Sequence, residues 1–257
     1  MNQTFEFNRF RQYMKLEFQE NGRYYLLSFG MIVGLMLTLM IPVAFAGRSY
    51  VMLMLLHLLG FFVAVMLGGS LLMNSAFTAY HDPAKGISML MLPVSTLEKF
   101  LAKFLLLSSI ITINLLIFSF LHPFLLDIAN QGLTNNAYQT IPAQEFRQLT
   151  YIYFIAMAVF MLGSIYFQKF SFLKTAGYGL LASLFIYLLD YGLAYELTNH
   201  PDGLFNMPFE YWDMNINSNH VLLEAASPFN ALVAIILIAL IPCIFIIAYL
   251  RLKEKEL

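Results

Sequence analysis

The chain has 257 residues and a net charge of −1, and 60% of its residues are hydrophobic whereas only 11% are charged. Soluble domains carry about 25% charged residues, so this composition argues against a soluble enzyme, a nucleic-acid-binding protein or a disordered chain. The single cysteine, Cys243, excludes an intramolecular disulfide. With a mean hydropathy of +0.71, the chain is expected to be an integral membrane protein.

The first segment, residues 1–23, is amphipathic. Four apolar residues share one face of a helix: Phe7, Phe10, Met14 and Phe18. Cationic and amide side chains are turned away from this face. This pattern predicts an N-terminal helix in the membrane interface, with rings at the acyl boundary and cations near lipid phosphates. The alternative is a solvated segment with scattered aromatic residues.

Six apolar runs follow, and each is long enough to cross a bilayer as a helix, for which about 20 residues are needed. None has the alternating pattern of a membrane barrel, and helices satisfy their own backbone hydrogen bonds in lipid. The sequence therefore predicts an all-α integral membrane protein, with one transmembrane domain over residues 1–257. Its six-helix bundle has spans at about Tyr24–Ala46, Tyr50–Met73, Phe100–Pro123, Leu149–Phe167, Phe172–Asp190 and Phe229–Leu250.

Basic residues predict the orientation of these spans. Of the 14 Lys and Arg residues, all but Arg48 and Arg147 fall on one side of the predicted bundle. The segments assigned to the other side, residues 124–148 and 191–228, are polar, and the second has acidic residues but no basic ones. Because positive charge stays on the cytoplasmic side, we expect both termini to be cytoplasmic and these two loops to face outward.

The loop between the second and third spans, residues 74–99, is the most informative one. Asp82 and Pro83 indicate a turn, since the residue before a proline is pushed out of the helical region. A short apolar stretch, Ile87–Leu92, then runs to Pro93. This pattern predicts a short cytoplasmic helix that either rests on the membrane or is gripped by another protein.

The third span begins with a helix-capping pattern. Ser95 and Glu98 have the spacing of a capping box, in which each side chain bonds the backbone amide of the other residue. We therefore expect the helix to start at Ser95, at the cytoplasmic surface.

Chemistry-bearing motifs are not evident. The chain has no phosphate-binding glycine loop, nucleophile motif or metal-ligand spacing, so we expect no catalytic residue, no metal site and no cofactor in this chain. Two polar residues inside spans, His57 and Asn114, are candidates either for lining a pathway or for packing between helices. The spans also lack the series of charged groups that couples transport to an ion gradient.

The stretch over residues 85–103, KGISMLMLPVSTLEKFLAK, resembles the second cytoplasmic segment of type-2 ABC exporter permeases. That family has a basic residue and a glycine, a leucine-rich stretch, a Pro-Val/Ile-Ser sequence and then a lysine. Pro93, Ser95, Glu98 and Lys103 stand at the family's offsets, whereas Gly86 stands closer to the proline than the family pattern has it. The six spans and cytoplasmic termini resemble the plan of one permease subunit.

The resemblance implies a permease subunit in a bacterial inner membrane that pairs with a second permease subunit, as a homo- or heterodimer. Separate cytoplasmic ABC ATPase subunits would hold ATP and Mg, so the chain alone is not an enzyme. The small number of charged residues inside the spans would suit an amphipathic or lipid-like cargo. The short helix would be a coupling helix seated on the ATPase through Asp82, Pro83, Lys85, Gly86, Ile87, Met89, Leu90 and Pro93. The alternative is a membrane scaffold or sensor subunit of the same fold that does not transport.

Overall fold

The computed structural model describes residues 5–46, 55, 57–82, 86–87, 89, 91–131, 140–198, 211–216, 219–224 and 227–256. Its main elements are six long helices, which follow the order of the six apolar runs. They are α1 (Phe7–Ala46), α2 (His57–Asn74), α3 (Thr96–Asn130), α4 (Ala143–Tyr166), α5 (Ser171–Thr198) and α6 (Ser227–Glu256). A single turn of 3₁₀-helix, Thr78–His81, follows α2.

Five of these helices, α1 to α5, are long and apolar enough to cross a membrane. This agrees with a multi-pass membrane protein, as the composition predicts. The sixth predicted span falls within α6, a helix of 30 residues, and the total of six spans stays a prediction.

The predicted interfacial helix and the first predicted span are one element in the structure. Helix α1 runs for 40 residues without a break at residue 23. Asn21 and Gly22 do not interrupt it, and the Asn21 side chain donates a hydrogen bond to Glu17 Oε1 on the preceding turn (2.9 Å). The first proline in the helix, Pro42, comes close to its end.

Helices α1 and α3 lie side by side and run in the same direction. Near their first turns, Arg9 on α1 bonds Glu98 on α3. Near their last turns, Val43 on α1 packs against Leu126 and Ala129 on α3. Two neighbouring helices with the same direction need a return connection, and α2 with the loop after it supplies that connection.

The end of the bundle at which α1 and α3 begin also holds the ends of other helices. Lys255, near the end of α6, contacts His81 in the turn after α2. The Ser171 hydroxyl at the start of α5 bonds the Gly163 carbonyl of α4 and the Asn74 side chain of α2. We call this the basic end, because most Lys and Arg residues lie in the segments that meet there: residues 9–23, 99–103, 169–174 and 251–255.

Helix α2 occupies the centre of the bundle and is irregular. Residues Gly60–Leu67 are π-helical, and Gly68–Asn74 continue as α-helix. Phe61 in the π-helical part is fully buried, with its ring centroid 5.1 Å from that of Phe118 on α3 and 6.3 Å from that of Tyr153 on α4. Aromatic packing on both neighbours therefore holds α2 in place.

Glycines allow the helices to approach closely around α2 and at the α4–α5 corner. A Cβ atom on Gly68 would lie 2.6 Å from the side chain of Ile32 on α1, and one on Gly69 would lie 3.0 Å from the Tyr153 hydroxyl on α4. A Cβ atom on Gly163 would overlap the side chain of Thr175 on α5. Small residues thus serve contacts within the bundle at these positions.

The outer segment predicted over residues 191–228 contains structure that the all-α prediction does not include. Helix α5 extends into it as far as Thr198. Two antiparallel strands, β1 (Tyr211–Ile216) and β2 (Asn219–Glu224), form a hairpin in which Tyr211 is opposite Glu224. Apolar residues alternate with polar ones along β1, at Trp212, Met214 and Ile216, and this period of two is the sequence signal for a strand.

Candidate functional site

The start of α3 has a complete capping box. Ser95 is the N-cap residue, with an extended backbone (φ −69°, ψ 153°), and its hydroxyl accepts a hydrogen bond from the Glu98 amide at 3.3 Å. The Glu98 carboxylate accepts a hydrogen bond from the Ser95 amide at 2.8 Å. The pair satisfies backbone groups that a helix N-terminus leaves free, and it places Glu98 at the base of the loop.

Glu98 also joins the loop to α1. Its carboxylate has no exposed surface, and it receives two hydrogen bonds from the Arg9 guanidinium, each of 2.8 Å. The backbone amide of Glu6 donates a third hydrogen bond from the same segment, at 2.7 Å. An Arg–carboxylate pair with two parallel hydrogen bonds is a strong and directional contact. One carboxylate therefore fastens the start of α1, the end of the loop and the start of α3.

A second junction of the same kind lies further along both helices. Glu17 on α1 and Lys103 on α3 are both buried, and Lys103 Nζ lies 2.8 Å from Glu17 Oε1. The same oxygen accepts hydrogen bonds from the Tyr25 hydroxyl at 2.6 Å and from the Asn21 side chain at 2.9 Å. A buried charge that loses its partner is costly, so this pair holds α1 and α3 in one register.

Apolar contacts complete the attachment of the loop to α1. Phe10 and Tyr13 of α1 and Ala102 of α3 form a buried cluster, and the side chains of Leu92 and Val94 pack against it. The last residues of the loop are therefore held by packing as well as by the Glu98 carboxylate. No sequence motif marks Arg9 or Glu17 as a site residue. The one signal for Glu17 is that a glutamate stands beside the apolar stripe of a predicted interfacial helix.

The predicted coupling residues are described only in part, and Pro83, Lys85 and Leu90 lie outside the described residues. Asp82 is exposed, and its carbonyl accepts a hydrogen bond from the amide of the buried Gly86 at 2.7 Å. Residues 86, 87, 89 and 91 are helical, and Met89 is partly buried. Pro93, beyond the helical residues, is exposed.

Ile87 and Met91 form an exposed apolar pair on this helical segment. They are four residues apart, so they lie on the same face, one turn from each other. The exposed fraction is 62% for Ile87 and 81% for Met91. We call these two residues the apolar knob. An apolar pair with this exposure, on a short helix fastened at its base, offers a contact surface for another molecule.

The turn before the knob is attached to two other helices through His81. Its Nε2 lies 2.8 Å from the carbonyl oxygen of Ser164 on α4, and its Nδ1 lies 3.3 Å from Nζ of Lys255 on α6. The carbonyl only accepts, so Nε2 carries the proton and Nδ1 accepts from the lysine. Burial lowers the pKa of His81 and the Lys255 charge adds to this effect, against the opposing influence of the Ser164 carbonyl.

The two polar residues predicted inside spans occupy separate places. His57 is buried, and its ring centroid lies 4.7 Å from that of His122 on α3. The Asn114 amide nitrogen donates to the Ile110 carbonyl of its own helix at 3.0 Å. Asn114 lies eight residues before His122, about 12 Å along the helix. Among the described residues, the two ring nitrogens of His57 have no hydrogen-bond partner, and Oδ1 of Asn114 has none either.

The described residues contain no group of three or more His, Cys, Asp or Glu side chains that could hold a metal ion. Taken together, the basic end places an exposed apolar knob between two attachments. The attachment before the knob leads to α4 and α6, and the one after it leads to α1 and α3. Comparison of the chain with protein-family models, with curated proteins and with solved structures finds no match.

Proposed function

We propose that the chain is the transmembrane permease subunit of an ATP-driven ABC exporter, with energy supplied by separate cytoplasmic ATPase subunits that bind ATP and Mg. A second permease subunit completes the transporter in a bacterial inner membrane, and the cargo is amphipathic or lipid-like. The basic end faces the cytoplasm. The observation that carries the proposal is the exposed knob of Ile87 and Met91, braced on both sides by contacts to four helices.

The bracing favours transmission of a displacement. Before the knob, His81 contacts both α4 and α6. After the knob, Glu98 is bonded to α1 and begins α3. Protein interiors are close-packed and have low compressibility, so a push on a fastened segment moves the elements attached to it. A partner that seats on the knob and changes shape would therefore act on α1, α3, α4 and α6 together.

The apolar character of the knob favours a protein partner with a groove. Burying one Ile or Met side chain is worth roughly 1.5–3 kcal/mol, so two such residues provide an apolar anchor for a partner. The resemblance of residues 85–103 to the coupling segment of exporter permeases supports an ABC ATPase as that partner. In this proposal Glu98 and Lys103 do not touch the ATPase, because both side chains bond α1.

Site-specific photo-crosslinking tests this contact. A photoreactive amino acid is placed at Met91 in the native host, and the crosslinked product is identified by mass spectrometry. The control position is Phe170, which is 74% exposed and also belongs to the basic end. We expect an ABC ATPase subunit to be captured from Met91 and not from Phe170.

Capture of lipid alone at Met91, or of the same proteins at both positions, would contradict the proposed ATPase contact. If the chain is instead a membrane scaffold or sensor subunit that does not transport, we expect a third result, in which Met91 captures a protein without an ATPase domain. That result would replace the permease by the scaffold or sensor.

A further inference from the structure

A groove of about 520 Å³ lies at the basic end, between the first turns of α1 and the side of α3. This volume is within the range of sites that hold small organic ligands. The groove follows α1 over about three turns, and its apolar lining consists of Phe7, Phe10, Met14, Phe18 and Leu106. It is a different surface from the apolar knob.

Two cations complete the lining of the groove. Arg11 and Lys15 are four residues apart on α1, and both are exposed. Among the described residues, neither of them has an ion pair or a hydrogen bond through its side chain. Neighbouring cations are engaged within the bundle, since Arg9 bonds Glu98 and Lys103 bonds Glu17. The groove thus combines an apolar floor with positive charge that nothing in the described chain neutralises.

The position of the groove indicates which amphiphile reaches it. Leu106 lies ten residues into α3, within the apolar length of a helix that is able to cross a membrane. The cations Arg11 and Lys15 lie nearer the helix starts than Leu106, because they precede Glu17, whose partner Lys103 precedes Leu106 on α3. An opening at the edge of the apolar layer meets the phosphates and acyl chains of membrane lipids, and basic residues near an anionic membrane surface attract anionic headgroups.

We propose that this groove binds an anionic membrane phospholipid, with one acyl chain on Phe7, Phe10, Met14, Phe18 and Leu106 and the phosphate between Arg11 and Lys15. The bound lipid fills the space between α1 and α3 next to the Glu17–Lys103 pair, since Leu106 stands one turn after Lys103 on the same helix. This proposal does not rest on the permease function, and lipid binding is measured without any transport assay.

Native mass spectrometry of the purified chain tests the proposal. The protein is equilibrated with equal amounts of phosphatidylglycerol and phosphatidylcholine that carry the same acyl chains, and the two bound populations are counted. Each basic residue near an anionic lipid raises the affinity for that lipid several-fold. With two such residues, we expect roughly a tenfold or greater preference for phosphatidylglycerol over phosphatidylcholine. The variant Arg11→Gln/Lys15→Gln is expected to lose this preference.

Two further variants separate a groove from general surface charge. The control Arg23→Gln/Lys253→Gln removes two exposed cations that do not line the groove, and it is expected to keep the preference. Met14→Trp keeps every charge but fills the groove, and it is expected to lower phosphatidylglycerol occupancy while the protein still elutes as a folded species in size-exclusion chromatography.

Several results would overturn the proposal. If both charge variants lost the preference equally, or if lipid occupancy were unchanged in Met14→Trp, the lipid would be bound by non-specific surface charge and not by the groove. Loss of a dimer rather than of lipid in Met14→Trp would identify a second copy of the chain as the occupant of the groove.

Discussion

Replacing Glu17 by leucine is expected to destabilise the protein by about 3 kcal/mol, since removal of one partner from a buried ion pair costs 3–5 kcal/mol. The change leaves Lys103, a residue that is only 5% exposed, without its carboxylate partner. It also removes the acceptor of the buried Tyr25 hydroxyl. The measurement is the melting temperature of the purified protein in mild detergent, read from the amount of folded protein that remains in size-exclusion chromatography after heating.

A double-mutant cycle shows whether the pair itself is responsible. Apolar residues of similar size often replace a buried ion pair with little loss, so Glu17→Leu/Lys103→Met is expected to be more stable than Glu17→Leu, although the buried Tyr25 hydroxyl still lacks its acceptor. The matched control is the exposed pair of Arg251 and Glu254, where Glu254→Leu is expected to cost less than about 1 kcal/mol. Strictly additive effects of the two substitutions at positions 17 and 103 would contradict the proposed coupling of α1 to α3.

Replacing Glu98 by glutamine is expected to release the start of α1 from the bundle. The buried carboxylate accepts hydrogen bonds from Arg9, from the Glu6 amide and from the Ser95 amide. Glutamine has nearly the same size as glutamate, but it has only one acceptor oxygen, and its NH₂ group would face N–H groups that also donate. Because hydrogen bonds to a charged group contribute roughly 1.5–3 kcal/mol, we expect a loss of about 2–3 kcal/mol.

Hydrogen–deuterium exchange locates this effect. Amides over residues 7–14 and over residues 95–98 are expected to exchange faster in Glu98→Gln, whereas those at the other end of the bundle keep their rates. Glu6→Gln is the control, because the Glu6 carboxylate is exposed and lies 3.9 Å from Arg9. Unchanged exchange over residues 7–14 in Glu98→Gln would show that Glu98 does not hold α1.

Local patterns account for what the sequence predicts well. The apolar runs mark the positions of the long helices, because lipid requires about 20 apolar residues per crossing. The capping box at Ser95 and Glu98 is readable because its two members are three residues apart. The hairpin of β1 and β2 has a readable period of two, but it lies in a segment whose polar composition favours a loop.

Contacts between distant parts of the chain account for what the sequence does not show. Arg9 and Glu98 are 89 residues apart, and Glu17 and Lys103 are 86 residues apart. Neither pairing is readable from spacing, because it depends on α1 and α3 lying side by side in one direction. The π-helical stretch Gly60–Leu67 is likewise set by packing around α2 and not by a pattern of residue types. Asn21 and Gly22 resemble a break in the sequence, yet the helix continues through them.

These long-range contacts change the interpretation of the segment that resembles an exporter permease. Its polar residues Glu98 and Lys103 both fasten α1 to α3. Among the described residues of this segment, the large exposed apolar side chains are those of Ile87 and Met91. In the proposed permease, therefore, the polar part of the segment positions the knob, and the apolar part meets the ATPase.

Purification of the tagged chain from its native membranes in mild detergent, followed by protein identification and an ATPase assay, tests the central claim most directly. We expect an ABC ATPase subunit to co-purify in fixed stoichiometry. We expect this association to be lost in Met91→Asp, with an unchanged melting temperature, and retained in the control Phe170→Asp. A pure chain without any ATPase, under conditions in which ABC exporters of the same membranes stay intact, would contradict the proposal that this protein is a permease subunit.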